Sequence, residues 1–388
     1  MNGTIMYISG GRWDGIPGTD RLLVEALAAK VKVLWVDQPA SIMRHRDVLR
    51  HSATSLLGRT EAAQGNIFRL RLPALPGFSR AVIRRTTEAL AQWTMHAAAS
   101  ELGGITGVVN ASPLVEFPAR IPVPRLLHVT DDWLSASALL GLKRGHVARL
   151  LTSNLRMADH VSAVTPTLAS KLAAISGRTV DVLPNGCRAP LTLVPGPAVA
   201  PYAVLAGQLN ERLDPEILKE LGRCGLPVVV MGPRTEREPG MSQTLDRFLA
   251  LPNVRWLGHV APSEVARVLA GAAAGLTPYA ASEFNTASFP LKTLEYLAAG
   301  LPVVATDLPA TRWLDNPYVD VAGNAGEYVA LTKAALRNAP THARRLDIQA
   351  TSHAHTWEVR AEHLLALLGG QQTTEPGQTR APRPVGSN

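Results

Sequence analysis

The chain alternates short apolar runs with helix-length segments along most of its 388 residues, and this rhythm is interrupted once, by PNGCRAPLTLVPGPAVAP at 184–201. Strand-sized runs separated by segments long enough for crossover helices specify parallel sheets, because each parallel strand must be reached by a long return connection. In the first half the runs are IMYIS (5–9), VKVLWVD (31–37), GVVN (107–110), PRLLHVT (124–130), HVSAVT (160–165) and VDVLPN (180–185). After the interruption come AVLAG (203–207), LPVVVMG (226–232), NVRWLG (253–258), AGLTPY (274–279) and LPVVATD (301–307), with helices expected from about Pro215, through Leu245, from Ser263 and from Pro290. Five prolines and two glycines in the break are linker chemistry. The fold class expected is α/β, with two doubly wound Rossmann-like domains. Their expected bounds are 1–186 and 202–345, joined by a linker at 187–201. A C-terminal helical segment at 346–368 returns towards the first domain, and a Gly-, Pro-, Gln- and Thr-rich tail at 369–388 is expected to be disordered.

Charge divides unevenly along this plan. The net charge is +8, yet residues 1–190 hold 22 Lys and Arg against 13 Asp and Glu, while the remainder is close to neutral. The excess is densest in the segment from Arg44 to Arg85, which also contains Arg46, Arg50, Arg59, Arg69, Arg71, Arg80 and Arg84 and only two acids, Asp47 and Glu61. Such a run attracts phosphate, whether on anionic lipid, on a lipid-linked acceptor or on nucleic acid. Peripheral contact with an anionic membrane is the expectation. A nucleic-acid-binding protein is the rival from another class, disfavoured because only 5% of residues are aromatic and the charge is not interleaved with an aromatic platform. Two isolated cysteines, Cys187 and Cys224, indicate neither a zinc site nor a disulfide framework. With no signal-like amino terminus and no long apolar stretch, the expected location is cytoplasmic, at the inner face of the cell membrane where the basic segment makes its contact.

The segment NTASFPLKTLEYLAAGLPVVATDLP (285–309) carries the strongest chemical signal. Pro290 suits the first turn of a helix, whose unpaired N–H groups and positive dipole end would then lie beside Ser288 and Phe289. That is an anion site. Lys292 places a cation where the dipole favours an acid, so an anionic partner is expected for it. Glu295 follows on the same face, suited to accept hydrogen bonds from ribose hydroxyls.

This segment resembles the donor-binding signature of GT-B glycosyltransferases, in particular the bacterial exopolysaccharide and teichuronic-acid-type group of retaining enzymes. LAGQLNERLD (205–214), VVVMGP (228–233), LPNVRWLGHVAPSEVARVLAGAAAGLTPY (251–279), VLPNG (182–186) and the closing HTWEVRAEHLLALL extend the resemblance over most of the chain in the family's order. The resemblance implies two domains facing a central cleft and transfer of a sugar, of the hexosyl class, from a UDP-, GDP- or dTDP-linked donor. It implies no cofactor beyond that substrate and no metal. It assigns Arg212 and Lys292 to the diphosphate, Glu295 to the ribose and the backbone at Gly258 and His259 to the base, with Gly207 in the phosphate loop. Many relatives carry a glutamate eight residues before the ribose glutamate, where this chain has Ala287. Glu283 or Asn285 is then the candidate for contact with the sugar, and the retaining or inverting outcome stays open.

In the first domain, SGGRWDGIPGT contains Gly10, Gly11, Gly15 and Gly18, with Gly18 matching the family's loop near the donor phosphate. The spacing is not the G-x-G-x-x-G of dinucleotide sites, although Asp37 follows the next strand as an NAD site would require. LLHVTDDWL (126–134) ends a strand with two acids. Asp131 is the candidate for contact with the donor sugar or acceptor hydroxyl, and Asp132 the candidate helix cap. A sugar-nucleotide epimerase of the same architecture is the rival enzyme. The sugar, the base, the oligomeric state and the acceptor, whether lipid-linked, polysaccharide or small molecule, are not set by these residues.

Overall fold

The computed structural model describes residues 3–15, 17–41, 58–74, 81–137, 141–188 and 200–370. The chain forms two compact units, one of residues 1–185 with 357–388 and one of residues 186–356. The C-terminal tail from 371 and most of the proline-rich linker lie outside the described residues.

The first unit runs β1 (Thr4–Ile8), α1 (Thr19–Ala28), β2 (Lys32–Val36), β3 (Ala40–Ser41), β4 (Glu61–Gln64), β5 (Ile67–Leu70), β6 (Pro73–Ala74), α2 (Ala81–Glu101), β7 (Gly107–Asn110), β8 (Arg125–Val129), α3 (Arg144–Met157), β9 (His160–Ala163), α4 (Pro166–Ser176) and β10 (Asp181–Val182). Its main sheet has the order β10-β9-β8-β7-β1-β2-β5-β4, parallel except for β4. The central strands are buried on both faces, as their unbroken apolar runs require. The sequence pattern did not show β4 and β5. Arg69 interrupts the apolar run of β5, and β4 is a polar edge strand.

Arg69 also corrects the reading of the basic segment. Its side chain is 4% exposed and donates to Asp37 from Nε at 2.8 Å and to both oxygens of Asp14 at 2.7 Å. Asp37 accepts in addition from the Trp35 indole at 2.7 Å and the Trp13 backbone N–H at 2.8 Å. Asp37 is thus the counter-ion of a buried arginine, and the hydrogen bond from Arg69 holds the Asp14 carboxyl below its ordinary range. Arg71 pairs with Glu61 and Asp14. Arg69 is therefore neutralised by Asp14 and Asp37, which the linear count of the segment did not include, Arg71 by Asp14 and by Glu61, which it did, and Arg84 lies 4.0 Å from Glu88. Arg59 and Arg85 are exposed, while Arg44, Arg46, Arg50 and Arg80 lie outside the described residues.

The second unit runs β11 (Ala203–Ala206), α5 (Pro215–Arg223), β12 (Val228–Met231), α6 (Pro239–Leu249), β13 (Val254–Trp256), α7 (Pro262–Gly271), β14 (Ala274–Thr277), α8 (Glu283–Ala287), α9 (Leu291–Ala298), β15 (Val303–Thr306), α10 (Pro309–Leu314), β16 (Val319–Ala322), α11 (Ala325–Arg337) and α12 (His342–Ala350). Its parallel sheet has the order β13-β12-β11-β14-β15-β16. The sixth strand, β16, was not expected, because VDVA alternates polar and apolar residues at an edge. Under the sheet a core of Leu205, Leu213, Leu218, Val230, Leu245 and Tyr328 joins α5, α6 and α11 to the strands. The Tyr296 ring packs where Gly275 has no side chain, and its hydroxyl accepts from Ala206 N–H at 2.7 Å. From Trp357 the chain rejoins the first unit as α13 (Trp357–Leu368), which packs on α1. Among the described residues no helix is long and apolar enough to cross a membrane.

At the carboxyl edge of this sheet Gly207, Gly232 and Gly258 follow three adjacent strands. A side chain on Gly232 would lie 1.8 Å from the Gly207 carbonyl oxygen, and Gly232 has φ +132°. Three tests follow from the packing, the first a comparison of two glycines, the second at Arg69. Gly232→Ala will destabilise the protein by at least about 2 kcal/mol. Gly18→Ala, where nothing lies within 4 Å and φ is −97°, will cost under about 1 kcal/mol; thermal melting compares the two. Arg69→Met leaves Asp37 buried without its cation and will cost about 3–5 kcal/mol in denaturant unfolding. The third concerns His128, buried in β8 with Nδ1 3.0 Å from the Ser162 hydroxyl. Burial, aided by the nearby His363, lowers its pKa from 6.5 to about 4. Between those values the unfolded chain binds the proton and the folded one does not, so stability will fall as pH drops through that window. Melting curves of His128→Gln across this range will show a flatter decline.

Candidate functional site

In the second sheet β11 connects first to β12 on one side, and the chain later returns to β14 on its other side. The loops after β11 (207–214) and after β14 (278–290) therefore flank the point where strand order reverses, the place where open α/β sheets leave a crevice at their carboxyl edge. Hydrogen bonds tie these two loops together. Asp214 N–H donates to the Pro278 carbonyl at 2.8 Å and Ala280 N–H to the Arg212 carbonyl at 2.9 Å.

Arg212 is held on three sides. Its Nε donates to Asn285 Oδ1 at 3.0 Å, and its guanidinium lies 5.1 Å from the Tyr279 ring centre and 5.0 Å from that of Phe284. Aromatic faces attract a guanidinium and fix its plane. Asn285 is buried, and its Nδ2 donates to the carbonyls of Arg212 at 2.9 Å and Ala280 at 2.8 Å. Every polar atom of that side chain is thus engaged in positioning the arginine and its loop. This corrects the expectation that Asn285 faces the sugar. Glu283 is the exposed first residue of α8, and the methyl group of Ala287 is fully buried on the same helix.

The start of α9 differs from expectation in one turn. Pro290 occupies the N-cap position, and Leu291 is the first helical residue. Leu291 N–H donates to the Phe289 carbonyl at 2.9 Å and Thr293 N–H to the Pro290 carbonyl at 3.0 Å, so the chain itself satisfies two of the helix's first N–H groups. The Ser288 hydroxyl donates to the Phe284 carbonyl at 2.9 Å. The buried Phe289 ring meets Trp313 edge-on, with centres 6.3 Å apart, and is a packing residue. The anion-attracting power of this corner accordingly comes more from side chains than the bare-helix argument supposed. Lys292 supplies a cation, and its Cε lies 3.5 Å from where a side chain on Gly207 would begin. That is an ordinary contact distance, so the lysine lies against the β11 loop at Gly207. Within the chain its anionic partner is Glu295, one turn on, and both groups are about one-third exposed.

The glycine row extends the site along the edge. Gly207 N–H donates to the Met231 carbonyl at 2.9 Å and Gly232 N–H to the Gly258 carbonyl at 2.7 Å, giving a ledge of bare backbone across three strands. Gly258 is left-handed at φ +65°, and His259 is exposed in the turn that follows. Gly232 was not singled out from the sequence; the signal was its place directly after an apolar strand, as with Gly207 and Gly258.

The first unit treats its own glycine loop differently. Asp20, in the first turn of α1, accepts from Gly10 N–H at 2.7 Å, the Ser9 hydroxyl at 3.0 Å and the Tyr7 hydroxyl at 3.0 Å. Burial raises its pKa against the pull of those donors. A protein carboxylate thus stands where a dinucleotide phosphate would need the loop, and with Asp37 bound to Arg69 the NAD reading fails on both of its requirements. Gly18 is the exposed N-cap of α1, with open space beside it. Asp131 is half-buried after β8. Asp132 accepts from Ser135 N–H at 3.1 Å, the Ser135 hydroxyl at 2.8 Å and Lys171 at 2.9 Å, the capping role expected for it. Burial raises its pKa, but those donors outweigh burial and leave it lowered.

Residues 207–337, which contain the glycine row, Arg212, Lys292 and Glu295, match the family model described as glycosyl transferases group 1. TuaH of Bacillus subtilis (strain 168), assigned to teichuronic acid biosynthesis as a glycosyltransferase, is 39% identical over 115 residues. That stretch is 29% of this chain and spans only 28% of TuaH's length. Sucrose-phosphate synthase from Thermosynechococcus elongatus has a similar structure, with a TM-score of 0.70 at 16% identity over 95% of this chain and 99% of its own. Anabaena HepE, solved with UDP and glucose, gives a TM-score of 0.63 at 14% identity over 95% and 100% of the two chains. The chain therefore has the two-domain α/β fold seen in these GT-B structures, and residues 207–337 of its second unit are similar to the group 1 glycosyltransferase domain.

Proposed function

We propose that the protein transfers a sugar from a nucleoside diphosphate donor bound at the carboxyl edge of the second sheet. One observation carries this reading: Arg212, clamped by Asn285, Tyr279 and Phe284, and Lys292, in the first turn of α9 and against Gly207, stand together beside the strand-order reversal. Breaking the anomeric C–O bond sends negative charge onto the departing diphosphate. Fixed cations at that position stabilise the transition state more than the ground state, because they need no reorganisation as charge develops. Glu295, released from Lys292 when the lysine turns to phosphate, accepts from the ribose hydroxyls. The base lies toward Gly258 and His259. Arg212 and Lys292 supply the positive charge that a divalent ion supplies elsewhere, so the reaction proceeds without a resident metal. The UDP and glucose held by HepE and the matched family support a nucleotide sugar as the ligand, and the partial identity with TuaH supports a polysaccharide acceptor of the teichuronic-acid type.

The expected outcomes are concrete. Arg212→Ala, Lys292→Ala and Glu295→Ala will each weaken donor use by about 1–3 kcal/mol. A thermal-shift panel of UDP, GDP, dTDP and their sugars will identify the base, because a ligand that binds only the folded state raises its melting temperature. Activity will survive EDTA, and product will form only when acceptor is present, which separates transfer from epimerisation. Wild-type nucleotide affinity in all three variants would falsify the assignment.

A further inference from the structure

The geometry points to Trp256 as the platform on which the donor's nucleobase stacks, an inference that rests on the nucleotide-sugar reading above. Trp256 ends β13, the edge strand of the second sheet, and remains 42% exposed. Exposure alone means little, since single surface aromatics are ordinary. What distinguishes this indole is that its orientation is fixed: Nε1 donates to the Gly232 carbonyl at 3.1 Å. The residue it is tied to can carry no side chain, because a methyl group on Gly232 would overlap the Gly207 carbonyl oxygen. A flat, partly solvated ring is therefore set at the end of a ledge of bare backbone running through Gly207, Gly232 and Gly258.

The ledge begins where Lys292 lies along Gly207 and ends, two strands away, at the ring. Adjacent strands are about 4.8 Å apart, so these ends are separated by about 10 Å across the sheet, the reach of a ribose and diphosphate laid along the edge. A ligand with anionic groups at one end and a planar π-system at the other matches this arrangement, and a nucleoside diphosphate is such a ligand. Stacking is tolerant of base identity because every base has a π-face. Trp256 thus contributes affinity for nucleotides as a class, while choice among bases falls to hydrogen bonds from neighbouring backbone.

The test uses the full chain and two probes, inorganic pyrophosphate and the nucleoside diphosphates UDP, GDP and dTDP, titrated by calorimetry. Trp256→Ala is expected to weaken the preferred nucleoside diphosphate about tenfold and to leave pyrophosphate affinity unchanged. Trp256→Phe, which keeps a ring, is expected to bind within about threefold of wild type. Nucleotide will quench tryptophan fluorescence in the wild type and in Trp93→Phe, the control that removes the other strongly exposed tryptophan, but not in Trp256→Phe. Unchanged nucleotide affinity in Trp256→Ala, with Lys292→Ala still impaired for both probes, would overturn the stacking role and leave the donor site standing. Equal loss of both probes in Trp256→Ala would also overturn it, because that signals a distorted ledge. If Lys292→Ala binds both probes normally, the donor-site reading itself falls.

Discussion

The contact between the loops after β11 and β12 governs what the second unit can do. The Gly207 carbonyl lies so close to Gly232 that neither a side chain nor an ordinary L-residue conformation fits there. Once these two loops are pressed together, the carboxyl edge of the sheet is backbone rather than side chain over three strands. Polar N–H and C=O groups that face a ledge of this kind are rigid, and a ligand approaching it meets no rotamer that must be ordered first. The glycines are thus both a packing solution and the reason the edge is open.

Charge is then added to this ledge by residues whose own orientation is constrained from behind. Arg212 belongs to the β11 loop, yet the groups that aim it, Tyr279, Phe284 and Asn285, belong to the β14 connection. Arg212 is therefore correctly placed only when β11 and β14 are correctly docked, which couples the site to the topology of the sheet. Lys292 and Glu295 form the opposite arrangement, a half-exposed i,i+3 pair. Such pairs contribute little to stability, so separating the two charges is inexpensive. Under the proposed reading, rigid arginine and releasable lysine are different devices for the same anion.

Much of this was legible in the sequence. The parallel strands of both central sheets read as apolar runs because they are buried on both faces, and the helix near Pro290 announced itself through proline, lysine and glutamate spacing. What the sequence concealed has physical causes. Strands β4, β5 and β16 lie at or near sheet edges, or carry a charge such as Arg69, so their apolar signal is broken. The acids that neutralise Arg69 are distant in sequence, so the linear charge count overstated the basic surface. Asn285 reads as a polar loop residue with a free amide, whereas burial commits all of its hydrogen-bonding capacity to the chain. No linear pattern reports that Gly232 touches Gly207, since contact across two parallel strands depends on register.

The two units share an architecture and have diverged in how they satisfy the same edge. In the first, the β1 loop closes on Asp20, whose carboxylate takes the Gly10 N–H and two hydroxyls and so supplies internally the anion that such loops favour. In the second, Asp214 caps α5 in a similar way, accepting from Glu216 and Ile217 N–H groups at 2.9 and 3.1 Å. A protein carboxylate therefore satisfies the loop after the first strand in one unit and the helix start after it in the other. The difference arises at the strand-order reversal, where α9 begins at Pro290 with no side-chain cap and with a lysine in its first turn. A cation at a helix start opposes the dipole, and the chain retains Glu295 beside it as a local counter-charge. The loop after the first strand is thus self-satisfied in the first unit, while the second unit places a cation at the start of α9; under the proposed reading this difference, and not the shared α/β architecture, selects the unit that holds an anionic donor.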